Sequence, residues 1–164
     1  MTEEGEADMK EYVLSVKVAN NNGVLLRVAS LFSRRFFNIK SLNVAETETP
    51  EISRMTIVVA GDRKILEQIK NQLLKLYEVQ EVNILENAVC REHILIRAGR
   101  SEDDRHKIIE IANLYRAKPV DIHPDSIMVE LTGEPAKIDS FIDLLKPFGI
   151  VKMVRSGISA LERD

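Results

Sequence analysis

The sequence has one cysteine, Cys90, and no tryptophan. A single thiol cannot form an internal disulfide, so the fold must stand on its core alone, and a reducing compartment is its simplest home. Aromatics are only 5% of the residues, and no strand carries an R-G-F-G-F type run that would stack nucleic-acid bases. No apolar run approaches the roughly 18 residues of a membrane span. Cations are not in excess either. Lys and Arg number 23 against 26 Asp and Glu, for a net charge of −3, which argues against a phosphate-backbone binder. The first ten residues, MTEEGEADMK, have neither the basic nor the apolar segment of a targeting peptide and read as a disordered acidic tail. A soluble, cytoplasmic protein is expected.

Catalytic and metal-binding groups are equally sparse. Cys90 and His93 in CREH have metal-like spacing, but no second pair follows, so Cys90 reads as a small hydrophobe. His106 and His123 stand alone. No nucleophile–base pair and no paired acids suggest an enzyme. The short basic runs Ser33–Arg35 and Arg105–Lys107 read as solvated helix faces, with partner docking as the alternative.

What is present is periodicity, and it occurs twice. Tyr12, Leu14, Val16 and Val18 alternate as a half-buried strand. After Gly23, Leu25, Val28, Ala29, Phe32 and Phe36 fall on one helical stripe. Ile39 to Thr47 and Ser53 to Ala60 read as two strands with Pro50 in the turn between them. Asp62 suits the N-cap of a helix with Ile65 or Leu66, Ile69, Leu73 and Leu76 on one face. Val79 to Leu85 completes a βαββαβ order.

The second half repeats it. REHILIRAG is a strand, and Ser101 with Asp104 resembles a capping box ahead of Ile108, Ile111, Ala112 and Tyr115. Pro119–Ile122 and Ile127–Thr132 are strands around the turn HPDS. Pro135 suits a first helical position, with Ile138, Phe141, Ile142 and Leu145 behind it, and a last strand runs from about Ile150 to Val154. The fold class is therefore α+β, two ferredoxin-like sandwiches over residues 11–86 and 87–164. Units this small are marginal alone, and their sheets leave open edges. A homodimer is expected.

One loop invites a ligand. In VANNNGVLLR, Asn20, Asn21, Asn22 and Gly23 lie where the first strand meets the first helix. Amides of a helix N-terminus favour an anion by about 0.3–1 kcal/mol. Asparagine offers both an acceptor and a donor. Together they suit an amino-acid zwitterion, whereas a phosphate would ask for more glycine and a lysine. The plainer alternative is that an asparagine caps the helix and Gly23 turns the chain.

The stretch from Leu14 to Asp62, LSVKVANNNGVLLRVASLFSRRFFNIKSLNVAETETPEISRMTIVVAGD, closely resembles the amino-terminal ACT domain of acetolactate synthase small (regulatory) subunits. The motifs N-x-x-G-x-L-x-R-V-x-x-L-F-x-x-R, N-I-x-S-L, S-R-M-T-I and G-D keep their spacing. RAKPVDIHPDSIMVELTGEPAKIDSFIDLLKPFGIVKMVRSGISALER resembles the same family's carboxy-terminal domain, including its closing R-[ST]-G-x-x-A motif. One departure is Phe36, where many members have glycine.

The resemblance implies a non-catalytic regulatory subunit in valine, leucine and isoleucine biosynthesis. It would activate a thiamine-diphosphate-dependent catalytic (large) subunit and confer feedback inhibition by a branched-chain amino acid, typically valine. Asn20, Gly23, Val24 and Leu25 would form the loop side of the effector site, with Asn38 and Ile39 supplied by the neighbouring copy. Thiamine diphosphate, magnesium and FAD would belong to the catalytic partner, with no cofactor in this chain. The rival is a free-standing tandem-ACT sensor controlling transcription or another pathway.

Overall fold

The computed structural model describes residues 10–163, so the expected acidic tail lies outside the described residues except for Lys10. The chain forms two units with the same order of elements. The first contains β1 (Glu11–Ala19), α1 (Val24–Arg34), β2 (Ile39–Glu46), β3 (Ile52–Ala60), α2 (Arg63–Leu73) and β4 (Val79–Leu85). The second contains β5 (Ala88–Ala98), α3 (Glu102–Tyr115), β6 (Lys118–Ile122), β7 (Ile127–Gly133), α4 (Pro135–Leu145) and β8 (Ile150–Glu162). Each builds a four-stranded antiparallel sheet, in orders β2-β3-β1-β4 and β6-β7-β5-β8. These are the two ferredoxin-like sandwiches the periodicity implied. The compact units divide between Val89 and Cys90, and the chain's last residues from Ala160 group with the first unit, where the Arg163 N–H donates to the Asn87 carbonyl at 3.0 Å.

In the first unit alternation sends Leu14, Val16 and Val18 of β1 and Met55, Ile57 and Val59 of β3 to one face, all essentially buried. α1 covers that face with Val24, Val28, Leu31 and Phe32, and α2 with Leu66, Ile69 and Leu73. Asp62 caps α2, its carboxylate accepting the Ile65 N–H at 2.8 Å. The second unit packs Ile94, Ile96, Val129 and Leu131 beneath Ile108, Ala112, Ile138 and Phe141. Ser101 caps α3 by accepting the Asp104 N–H at 3.1 Å. Among the described residues no helix is long and apolar enough to cross a membrane.

Two elements differ from the sequence expectation. Phe36 does not continue the α1 stripe; it lies beyond the helix, 96% exposed, with a left-handed φ of 58°. The Phe36 N–H donates to Ser33 O and the Phe37 N–H to Phe32 O, the double closure in which the left-handed residue is usually glycine. Leu31 takes the buried place instead. β8 is also far longer than the five residues expected. Its outer half, RSGISALE, lacks apolar alternation because it is an edge strand, held by main-chain pairing and by two polar clamps. The His93 N–H donates to Ser156 Oγ at 3.0 Å, and Arg155 grips buried Glu92 through Nε and Nη2 at 2.7 and 2.6 Å.

Candidate functional site

The loop after β1 is shaped by its neighbours across the sheet. The Asn20 N–H donates to Glu51 O at 2.8 Å. Its side-chain amide donates to Pro50 O at 2.8 Å and to Glu46 Oε1 at 3.0 Å. Both amide hydrogens are thus committed to the β2–β3 turn, which leaves the carbonyl Oδ1 as the group Asn20 can offer a ligand. Glu46 lies 26 residues away, and only the register joins them, so sequence reasoning missed it.

Gly23 occupies the N-cap position of α1 with φ 83° and ψ −6°, and no side chain caps the helix. The asparagine-cap alternative is therefore not what the loop does. A Cβ built on Gly23 would meet nothing within 4 Å. The glycine is there for its backbone conformation, and the space beside it is open. No acidic residue stands in the first turn of α1. The Val24 N–H donates to Asn21 O at 3.4 Å, which leaves the next amides, those of Leu25 and Leu26, and the positive end of the dipole at the terminus.

The remaining candidates divide sharply. Val24 is 4% exposed; its side chain belongs to the core and its backbone N–H already donates to Asn21 O, so the expected contact from Val24 is the weakest of the six. Leu25, the next residue, is 46% exposed and presents an apolar wall beside the loop. Asn38 is exposed just ahead of β2, and Ile39 is half-buried. These two are not beside the loop. Ile39 lies against Val59, which lies against Tyr12 of β1. The loop leaves the other end of β1, where Ala19 faces Ile52. Seven residues of strand separate the two groups, roughly 23 Å at about 3.3 Å per residue. One copy of the chain cannot bring all six candidates together.

Among the described residues, no three His, Cys, Asp or Glu side chains could together hold a metal ion. On the face of the first sheet opposite its helices the Lys17 ammonium sits 2.8 Å from Glu81. That hydrogen bond, helped by Asn83, holds the Glu81 carboxyl below the usual carboxylate range.

Comparison with known proteins decides the family. A model of the AHAS small subunit-like ACT domain matches residues 14–81, and one of the small subunit of acetolactate synthase matches residues 91–164. A probable acetolactate synthase small subunit from Methanothermobacter thermautotrophicus is 45% identical over 161 residues, 96% of each chain. The chain belongs to the acetolactate synthase small-subunit family. The acetolactate synthase small subunit of Mycolicibacterium smegmatis is 46% identical over 154 residues, 93% of this chain and 91% of that one. The crystal structure of the small subunit from Thermotoga maritima is 39% identical and covers 95% of this chain and 99% of its own, with a TM-score of 0.87. A small subunit of this enzyme is a regulatory subunit and implies a catalytic subunit as its partner.

Proposed function

We propose that this small subunit senses a branched-chain amino acid at the N-terminus of α1, and that two copies share each site. Through it the chain activates the catalytic subunit and confers feedback inhibition in branched-chain amino acid biosynthesis. One observation carries the reading: the loop at Asn20–Gly23 and the Asn38–Ile39 pair occupy opposite ends of one sheet, on a unit with β2 as one of its two edge strands. A two-fold axis that pairs β2 with β2 antiparallel, centred between Leu42 and Asn43, sets Ile39 of a second copy opposite Glu46. Glu46 is the residue that holds Asn20. The symmetric pairing thus completes the site twice over, once at each end.

In that composite site the effector carboxylate takes the α1 amides and its ammonium takes Asn20 Oδ1, with Asn38 as a second polar anchor. Leu25 and Ile39 enclose the aliphatic side chain. A ligand held by two chains biases how they sit together, which is the requirement for a coupling of typically about 1–3 kcal/mol to the catalytic partner. On this reading thiamine diphosphate, magnesium and FAD reside in that partner, and the assembly works in the cytoplasm.

Mixed dimers test the sharing. Gly23→Asp and Asn38→Ala chains should each bind valine poorly alone. Combined by random exchange, half the dimers are mixed, and each of these has one site with both wild-type halves. Calorimetry should then recover about a quarter of the wild-type sites. No recovery on mixing would overturn the shared site, provided mass measurements show that exchange took place. Reconstitution with the catalytic subunit, with and without valine, leucine or isoleucine, tests activation and inhibition directly.

A further inference from the structure

The outer surface of the first unit holds a second feature that the effector site does not use. Between α1 and the end of α2 runs an open groove of about 380 Å³, whose lining includes Leu26, Arg34, Arg35, Gln72 and Lys75. The chain as a whole carries a charge of −3, yet among the described residues Arg34, Arg35 and Lys75 have no carboxylate in ion-pair reach. Arg35 donates to the neutral Gln72 Oε1 at 2.8 Å, and only Arg27, on the same lining, is paired, with Glu78. Apolar side chains accompany the cations. Leu26 in the groove is 70% exposed, and Phe36 and Tyr77, next in sequence to lining residues Arg35 and Leu76, are almost fully exposed. Single exposed apolar residues are ordinary. Aromatic and aliphatic groups set among unpaired arginines have the composition of an interface centre.

We propose that this groove receives an acidic segment of the catalytic subunit, one that also carries a large aliphatic or aromatic side chain. The inference rests on the regulatory-subunit reading and names the surface through which that regulation acts. The charges select the occupant. A second copy would be related by a two-fold axis that sets the same cations near one another, which opposes association. A small ligand would find a shallow trough in place of an enclosing pocket. A protein segment with carboxylates spaced among apolar residues satisfies both halves of the lining. Position gives the groove its regulatory value. α1 starts at the effector loop and contributes Leu26, Arg27 and Arg34 to the groove, so a shift of this one helix is felt at both places.

The test uses the full-length chain and purified catalytic subunit. Arg34→Glu combined with Lys75→Glu reverses two groove charges. Lys64→Glu combined with Lys137→Glu reverses two exposed charges elsewhere and matches the net change. Thermal melts should show both variants folded, and calorimetry should show both binding valine as wild type does. The groove variant should bind the catalytic subunit about tenfold more weakly or worse, with a shallower dependence on salt than wild type. The control should stay within about twofold. Equal affinities of the two variants, or equal losses, would overturn the groove as the docking surface. So would a change in the groove variant's own dimer mass, which would assign the surface to a second copy. If the wild-type chain fails to bind the catalytic subunit at all, the regulatory reading itself falls, an outcome distinct from a wild type that binds and a variant that binds as well.

Discussion

Gly23→Asp and Gly23→Asn form a pair that isolates the charge at the α1 terminus. The two side chains are nearly isosteric, and both tolerate the left-handed backbone that Gly23 adopts at φ 83°. Open space around the position, with nothing within 4 Å of an added Cβ, means neither forces a clash within the chain. The remaining cost is backbone strain, so each variant should lose about 1–2 kcal/mol of stability at most. Aspartate should lose less, since a negative charge in the first turn gains about 0.3–1 kcal/mol from the dipole. Effector binding should move the other way. Two carboxylates about 4 Å apart repel by about 1 kcal/mol at the dielectric of water and about 4 kcal/mol at an effective value of 20. The loop is exposed, so the lower half of that range applies. Valine should bind Gly23→Asp about 5- to 50-fold more weakly than Gly23→Asn, by calorimetry, although the aspartate chain melts higher. If the two variants bind valine equally, the effector carboxylate does not sit at this helix terminus.

Three further outcomes follow from packing and charge. Arg155→Met strands Glu92, which is 4% exposed and loses two hydrogen bonds at once. The cost is about 3 kcal/mol, at the low end for a buried pair because Arg155 is partly exposed, and urea melts should recover most of it when Glu92→Gln is added. Phe36→Gly relieves a left-handed aromatic with almost no buried area to lose; it should stabilise the first unit by about 0.5–1 kcal/mol, seen as a higher melting temperature. Glu81 has a lowered pKa in the folded chain, so its contribution is present above the unfolded carboxylate range and disappears as the pH falls through the folded value. Glu81→Gln should accordingly lose less stability than wild type when melts are compared between pH 7 and about pH 3.

The elements that sequence made legible are those whose side chains carry the periodicity. Leu66, Ile69 and Leu73, or Ile138, Phe141 and Leu145, could be placed because burial of one helical face is written into their spacing. Phe36 misled for the same reason. It falls on the helical period, but the helix closes at Arg34, and a backbone with positive φ leaves no signature when the residue is not glycine. The outer half of β8 was invisible because main-chain hydrogen bonds and the Arg155–Glu92 pair, 63 residues apart, hold it. The loop at Asn20–Gly23 could be read as a site for an anion. Its tie to Glu46 and Pro50 could not, because strand register and not local pattern creates it. Nor could Val24's burial be separated from Leu25's exposure, as both are aliphatic and adjacent.

The two units share a topology, and the termini of their helices explain why only one of them should hold an effector. α3 begins with Ser101 capping the Asp104 amide, while Glu102, Asp103 and Asp104 fill its first turn. Its dipole is already compensated, and an incoming carboxylate would meet three negative charges. α2 is capped by Asp62, and α4 starts with Glu134 ahead of Pro135, which has no N–H to offer. Among these four helices α1 alone has neither an acidic residue at its start nor a capping side chain. A free amino acid carries its own carboxylate, so the electrostatics of the helix ends favour α1 over the other three termini by the same 0.3–1 kcal/mol that a cap or a first-turn acid would otherwise have taken up. That margin is too small to bind a ligand unaided. The rest has to come from polar anchors and an apolar wall, and the strand register puts part of that wall, Ile39, out of reach of the same chain's loop. If, as proposed, the uncompensated terminus of each copy is completed by the other copy, effector binding and dimer geometry become a single equilibrium.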